Sequence, residues 1–118
     1  MSEATPSASP DRQLGDLRIR IDDVDTRLLE LLNERARLAL EVGEVKKLTN
    51  APVYRPEREA QVIARLRGLN PGPLGGDAIE AIQREVMSAC RELERRNRLS
   101  RRAKRRTKPQ PGVAVPVS

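Results

Sequence analysis

The chain has 118 residues and a formal net charge of +6, enough for one small domain whose hydrophobic core is marginal without a partner. Tyr54 is the only aromatic residue, so the core must consist of aliphatic side chains, which favours helices. The single cysteine excludes an intrachain disulfide, and we expect no secretory signal, no transmembrane segment and therefore a cytoplasmic protein.

The first predicted element is a long helix. Residues 1–9 are rich in Ser, Pro and Ala, and we expect them to be disordered. Ser9 and Pro10 then form a typical helix start, with a capping hydroxyl and a proline at the first helical position. Apolar residues follow at steps of three and four up to Val45, which predicts a helix of about 36 to 38 residues ending near Thr49. A small domain cannot bury so long a helix alone, so this apolar seam predicts packing along a second long helix.

Two shorter helices are predicted after the first. Pro56 fits the first position of a second helix, and the segment NPGPLGG at residues 70–76 is a clear break. Asp77 and Glu80 resemble a capping box for a third helix, which we expect to end near Arg98. Strand-like alternation is absent from the sequence, so the predicted fold class is all-α.

Charge is distributed unevenly along the chain. The segment from Arg95 to Lys108 contains nine Lys or Arg and no acid, which leaves 14 basic and 17 acidic residues in residues 1–94. We therefore predict a mildly acidic helical domain at residues 10–98. A basic, Pro-containing disordered tail follows at residues 99–118.

Arg35 occupies a position of the apolar seam, between Leu31 and Leu38, where an arginine is costly unless it is paired or binds a ligand. Lys46 lies 11 residues further on, which places it on the same helix face about 16 Å away, so the two side chains could clamp a small anion. Arg18 lies about 25 Å from Arg35 and about 100° around the helix. It can join such a site only from a second chain that packs antiparallel.

Other candidate residues lie at the start of the second helix, Arg58 and Glu59, and on one face of the third helix, Cys90 and Glu94. Each also has an ordinary interpretation. The charges can be solvated, Glu59 can interact only with the helix dipole, and Cys90 can be a small core residue. Spacing alone therefore indicates a dimeric helical protein with an anion site.

The chain contains three motifs in order: LRIRIDDVDTRLLELLNERARLALEVGEVK, VYRPERE and IQREVMSACRELE. Together they resemble the helical class of chorismate mutases, and most closely the mutase domain of the bifunctional chorismate mutase–prephenate dehydratases. The resemblance spans roughly residues 14–97. Since no dehydratase domain follows, we expect a stand-alone mutase.

The resemblance implies a three-helix protomer in an intertwined homodimer, whose two sites each borrow one arginine from the other protomer. It implies the rearrangement of chorismate to prephenate, toward Phe and Tyr, in a pericyclic step that needs no nucleophile, metal or cofactor. Catalysis then requires holding the enolpyruvyl arm over the ring, with donor groups where the ether oxygen gains negative charge.

The resemblance also assigns roles residue by residue. Arg35, Arg58 and Arg18 of the partner subunit match the carboxylate-binding arginines, whose planar forked donors suit that task. Lys46 matches the lysine that donates to the ether oxygen and to a carboxylate. Glu59 matches the glutamate that accepts a hydrogen bond from the substrate hydroxyl.

Three substrate-binding positions depart from the family pattern. Arg55 stands where an aspartate is common, and Cys90 stands where a serine, a stronger donor, is often found. Glu94 stands where some members carry a glutamine, which donates to the ether oxygen as an ionised glutamate cannot. We therefore expect Glu94 to act protonated, with activity falling as pH rises through neutrality. The expected catalytic residues are Lys46, Glu94 and Arg35.

Other functions remain open. An isochorismate–pyruvate lyase would share the fold and the anion cage, although the mutase motifs favour the mutase. A helical binding module with a nucleic-acid-binding tail belongs to another class, but the folded part is net acidic and lacks stacking aromatics. A purely structural dimerisation module would leave Arg35 unexplained.

Overall fold

The structure, a computed structural model, describes residues 9–106, with side chains up to residue 104. It contains three α-helices in chain order, α1 (Pro10–Thr49), α2 (Pro56–Leu69) and α3 (Gly76–Arg106), and residues 9–106 include no strand. The predicted all-α class and the order of helices are confirmed. No helix in this range is long and apolar enough to cross a membrane. Residues 1–8 and 107–118, where we expect disorder, lie outside the described residues.

Helix α1 begins and ends where the sequence predicts. The Ser9 hydroxyl accepts a hydrogen bond of 3.1 Å from the backbone N–H of Arg12, as expected for a capping residue. The helix is 40 residues long, slightly longer than predicted. At its end, Asn50 adopts a positive φ of 57°, and the backbone N–H of Ala51 donates to the carbonyl of Lys46 at 3.1 Å.

Helix α2 begins at Pro56, as predicted, and packs against α3. The residue in front of it, Arg55, makes no side-chain capping bond. The buried hydrophobic residues are Ile63 on α2 and Met87 and Cys90 on α3. This small apolar core, in which two of the three side chains contain sulfur, holds the two helices that carry Glu59 and Glu94.

The predicted capping box at the start of α3 is wrong. The helix begins at Gly76, so Asp77 lies inside its first turn rather than in front of it. The Arg67 guanidinium donates to Asp77 at 3.0 Å and to Glu80 at 3.1 Å. Both acids therefore form ion pairs that link the end of α2 to the start of α3.

The predicted end of α3, near Arg98, is also wrong. Helical backbone continues to Arg106 and includes residues 99–106 of the segment that we assigned to a disordered tail. These residues are mostly Arg, Lys, Leu and Ala, which are good helix formers, and no Gly or Pro occurs among them. A run of like charge does not by itself end a helix that makes tertiary contacts, such as the ion pair between Arg101 and Glu44.

The chain divides into two compact units, of which the first ends at Arg35 and the second begins at Ala36. In the first unit α1 leaves its apolar seam 45% to 61% exposed, at Leu14, Leu17, Ile21, Val24, Leu28 and Leu31. In the second unit the seam residues Leu38, Val42 and Val45 are at least half exposed. Contiguous exposed apolar residues of this kind are typical of an interaction surface.

Candidate active site

The centre of the candidate site is a pair of opposite charges between the end of α1 and the middle of α3. The Lys46 ammonium lies 3.7 Å from the Oε2 atom of Glu94, and both side chains are more than four-fifths buried. The same ammonium donates a hydrogen bond of 3.2 Å to the backbone carbonyl of Val53, in the segment between α1 and α2. The segment between the helices therefore holds the lysine in place, with its charge directed toward Glu94.

Glu94 is only 7% exposed, which is unusual for a carboxylic acid. Within the described residues, its Oε2 atom makes no hydrogen bond. Gly43 on α1 leaves room for the carboxyl group, because a Cβ atom there would lie 3.4 Å from Oε2. Cys90, also buried, lies one turn earlier on the same face of α3. A buried carboxyl oxygen with unused hydrogen-bonding capacity is typical of a site that binds a ligand.

A second polar pair lies between α2 and α3. The guanidinium of Arg91 donates a hydrogen bond to Glu59, in the first turn of α2. It also lies over the ring of Tyr54, 4.8 Å from the ring centroid, in a cation–π contact. Sequence reasoning did not identify Arg91, because 32 residues separate it from Glu59 and no spacing rule connects them. A carboxylate has about four acceptor sites, so Glu59 keeps capacity for a ligand hydroxyl.

The two arginines near the start of α2 are exposed. Arg55 pairs with Glu57 across an Nε–Oε1 distance of 3.4 Å. The Glu57 carboxylate accepts a hydrogen bond from its own backbone N–H and another from Arg55. In that order, these two bonds hold the pKa of the Glu57 carboxyl below its ordinary value. Arg58 is exposed on α2, where its guanidinium is accessible to solvent and to a ligand.

The remaining two candidates, Arg18 and Arg35, belong to the N-terminal unit. Arg18 is exposed, whereas Arg35 is half-buried on α1. The structure thus brings Lys46 and Glu94 together, and the roles of all the candidate site residues stay predictions.

Comparisons with known proteins agree with these observations. Residues 17–95 match the family model for chorismate mutase type II. Over 87 residues the chain is 51% identical to the bifunctional chorismate mutase/prephenate dehydratase of Pseudomonas aeruginosa, covering 70% of this chain and 24% of that protein. The chain spans about a quarter of the length of three bifunctional relatives that it matches.

Two solved structures are similar to this chain over about seven-tenths of its length. Form II of the chorismate mutase from Thermus thermophilus aligns with a TM-score of 0.70 and 36% identity, over 71% of this chain and 96% of that one. A chorismate mutase from Helicobacter pylori in complex with prephenate aligns with a TM-score of 0.67 and 30% identity, over 71% of this chain and 91% of that one. Both similarities extend over most of the helical region.

Proposed function

This chain belongs to the chorismate mutase type II family, and on that premise we propose that it catalyses the rearrangement of chorismate to prephenate. The observation that carries the proposal is the buried pair of Lys46 and Glu94, whose polar atoms lie 3.7 Å apart. The ether oxygen of chorismate gains negative charge as its C–O bond breaks. The Lys46 ammonium stabilises that charge in a site of low dielectric, and Glu94 adds a second donor when its carboxyl carries a proton.

The rest of the proposed site binds the substrate in its reactive shape. By the family pattern, Arg35, Arg58 and Arg18 of the partner subunit bind the two carboxylates of chorismate. Glu59, held by Arg91, accepts a hydrogen bond from the ring hydroxyl. These contacts keep the enolpyruvyl arm over the ring, which removes much of the entropic cost of the rearrangement.

We also propose that the active form is a homodimer in which the α1 helices of two protomers pack antiparallel. The support is the exposed apolar seam of α1, which a second copy of the same helix would cover. Antiparallel packing would let Arg18 of the partner subunit reach a site that it cannot reach within its own chain. We further propose that the enzyme works in the cytoplasm, in the synthesis of Phe and Tyr.

The direct test is to follow chorismate loss and prephenate formation with the purified protein. Isochorismate is supplied in a separate reaction, in which release of pyruvate is measured. We expect prephenate from chorismate and no pyruvate from isochorismate. Pyruvate release without prephenate formation would instead assign the chain to the lyase reaction.

A further inference from the structure

A cavity of about 600 Å³ lies beside the proposed active site, between the end of α1, the α1–α2 segment and the C-terminal part of α3. Its basic lining residues are Lys47, Arg95, Arg98, Arg101 and Arg102. No residue that we assign to the mutase site lines this cavity. The cavity exists because α3 continues past Arg98, so the basic segment forms a wall rather than a free tail.

The acids near the cavity neutralise only part of this charge. Glu44 pairs with Lys47 at 3.1 Å and with Arg101 at 3.3 Å. Glu92 pairs with Arg95 at 2.6 Å, and neither glutamate lines the cavity. Five cationic groups therefore line the cavity, and two carboxylates outside the lining pair with three of them, which leaves an excess of positive charge.

Two of the lining arginines have hydrogen-bonding capacity to spare. Among residues 9–104, neither Arg98 nor Arg102 has an acidic partner. Arg98 donates one hydrogen bond, of 3.1 Å, to the carbonyl of Ala51, and its Nε atom is buried without a partner among the same residues. An unsatisfied buried donor is unfavourable in a folded protein, and an anion in the cavity would satisfy it.

The size and the mixed lining of the cavity limit what it can bind. A volume of about 600 Å³ falls in the range of small-molecule sites. Leu48, Val53 and Leu99 add apolar surface to the basic wall. A ligand that matches this lining is a small organic molecule with two or more anionic groups and some apolar surface.

We propose that this cavity is a second anion site, which binds a small organic polyanion through Arg98 and Arg102 while Lys47, Arg95 and Arg101 supply attractive charge. The ligand is a polycarboxylate or a phosphate ester. The planar carboxylate and the tetrahedral phosphate both present several oxygens that can accept paired hydrogen bonds from one guanidinium group. This site does not depend on the proposed mutase activity, since its residues and its test are separate.

The test is a calorimetric titration of the purified chain with citrate and, separately, with fructose 1,6-bisphosphate, at fixed ionic strength. We expect saturable binding of at least one probe. Losing one charge-assisted contact in Arg102→Ala weakens that binding by about tenfold. The matched control is Arg96→Ala, which removes the same charge from α3 at a residue that does not line the cavity and pairs with Glu92. We expect the control to bind as the unchanged chain does.

The two probes identify the source of the anion. Binding of citrate alone points to polycarboxylates, and binding of the bisphosphate alone points to phosphate esters. The proposal is overturned if neither probe binds saturably, or if both variants weaken binding equally, which would indicate only general attraction to positive charge. It is also overturned if the chain retains an oligonucleotide and neither small probe.

Discussion

The carboxyl group of Glu94 lies against the backbone of Gly43, where a Cβ atom would stand 3.4 Å from Oε2. Glycine in a helix interior costs about 0.5–1 kcal/mol relative to alanine. At this point of α1 the absence of a side chain gives the buried carboxyl room beside Lys46. The geometry of the proposed catalytic pair therefore depends on a residue that contributes no functional group.

Substitution of Gly43 tests this dependence. A Cβ at 3.4 Å is an ordinary contact, so Gly43→Ala should stabilise the helix by up to about 1 kcal/mol with a small loss of turnover. Gly43→Val adds two methyl groups and should displace Glu94, lowering kcat by about tenfold or more. The control is Gly68→Ala, since a Cβ at Gly68 would meet no atom within 4 Å. Urea unfolding and prephenate formation are measured on each variant, and an unchanged kcat in Gly43→Val would contradict this account.

The second prediction concerns the proton on Glu94. If Glu94 donates to the ether oxygen as a protonated carboxyl, activity falls as pH rises, because the ionised form cannot donate. Glu94→Gln carries a permanent donor and should flatten the pH profile of kcat. Glu92→Gln, an exposed neighbour on α3, serves as the control and should keep the slope of the unchanged chain. A flat profile in the unchanged chain would rule out the protonated role.

The third prediction concerns Arg55, which precedes α2 without capping it. Arg55→Asp places a carboxylate where it can accept a hydrogen bond from the first turn of the helix, which stabilises the chain by about 1 kcal/mol. By the family pattern it should also raise turnover. Arg55→Ala removes the same charge and the pairing with Glu57 without adding a cap, so it is the control. Equal unfolding free energies for the two variants would show that no cap forms.

The parts of the fold that the sequence predicts are those with local causes. Ser9 and Pro56 define helix starts because their effects depend on neighbours within one turn. The capping-box prediction for Asp77 was wrong because the partner of Asp77 is Arg67, which is ten residues away on another helix. A capping pattern in sequence does not reveal such a competitor.

The candidate site shows the same limit. Helix spacing made Lys46 and Glu94 candidates and a family resemblance supplied their roles, and the structure adds that they lie together and are buried. Arg91 was missed because its contacts with Glu59 and Tyr54 exist only once α2 packs on α3. No periodicity or motif in the chain carries that information.

The fourth prediction is a pH effect on stability at Glu44. A hydrogen bond from Lys47, with further help from Arg101 and Asn97, holds the pKa of Glu44 below its ordinary value. A carboxyl whose pKa is lowered by folding adds stability above its unfolded pKa, and this contribution is lost as pH falls through the folded pKa. The unchanged chain should therefore lose more unfolding free energy than Glu44→Gln as pH falls from about 6 to about 3. Urea unfolding across this range measures it.

The control for Glu44 is Glu41→Gln, at an exposed position on the same helix that makes no ion pair within the described residues. This variant should follow the acid dependence of the unchanged chain. Identical acid dependence in Glu44→Gln would mean that its contacts with Lys47 and Arg101 add nothing to stability, as for many exposed ion pairs.

The last prediction tests whether two chains share each site. Arg18→Ala and Lys46→Ala should each be inactive alone, because every site lacks one required cation. Refolded together in equal amounts, half of the dimers combine the two chains. One of the two sites in such a dimer then takes Arg18 and Lys46 from the unmutated positions, so about a quarter of the activity of the unchanged protein should return.

The control mixes Lys46→Ala with Glu94→Ala, because one protomer supplies both of these residues to each proposed site. Every site in that mixture retains one defect, so no activity should return. Sedimentation of differently tagged chains verifies that mixed dimers form in both experiments. If mixed dimers of the Arg18→Ala and Lys46→Ala chains form and remain inactive, Arg18 does not reach the site across the interface. The antiparallel packing of the α1 helices would then lose its functional argument, although the exposed apolar seam would still require a covering partner.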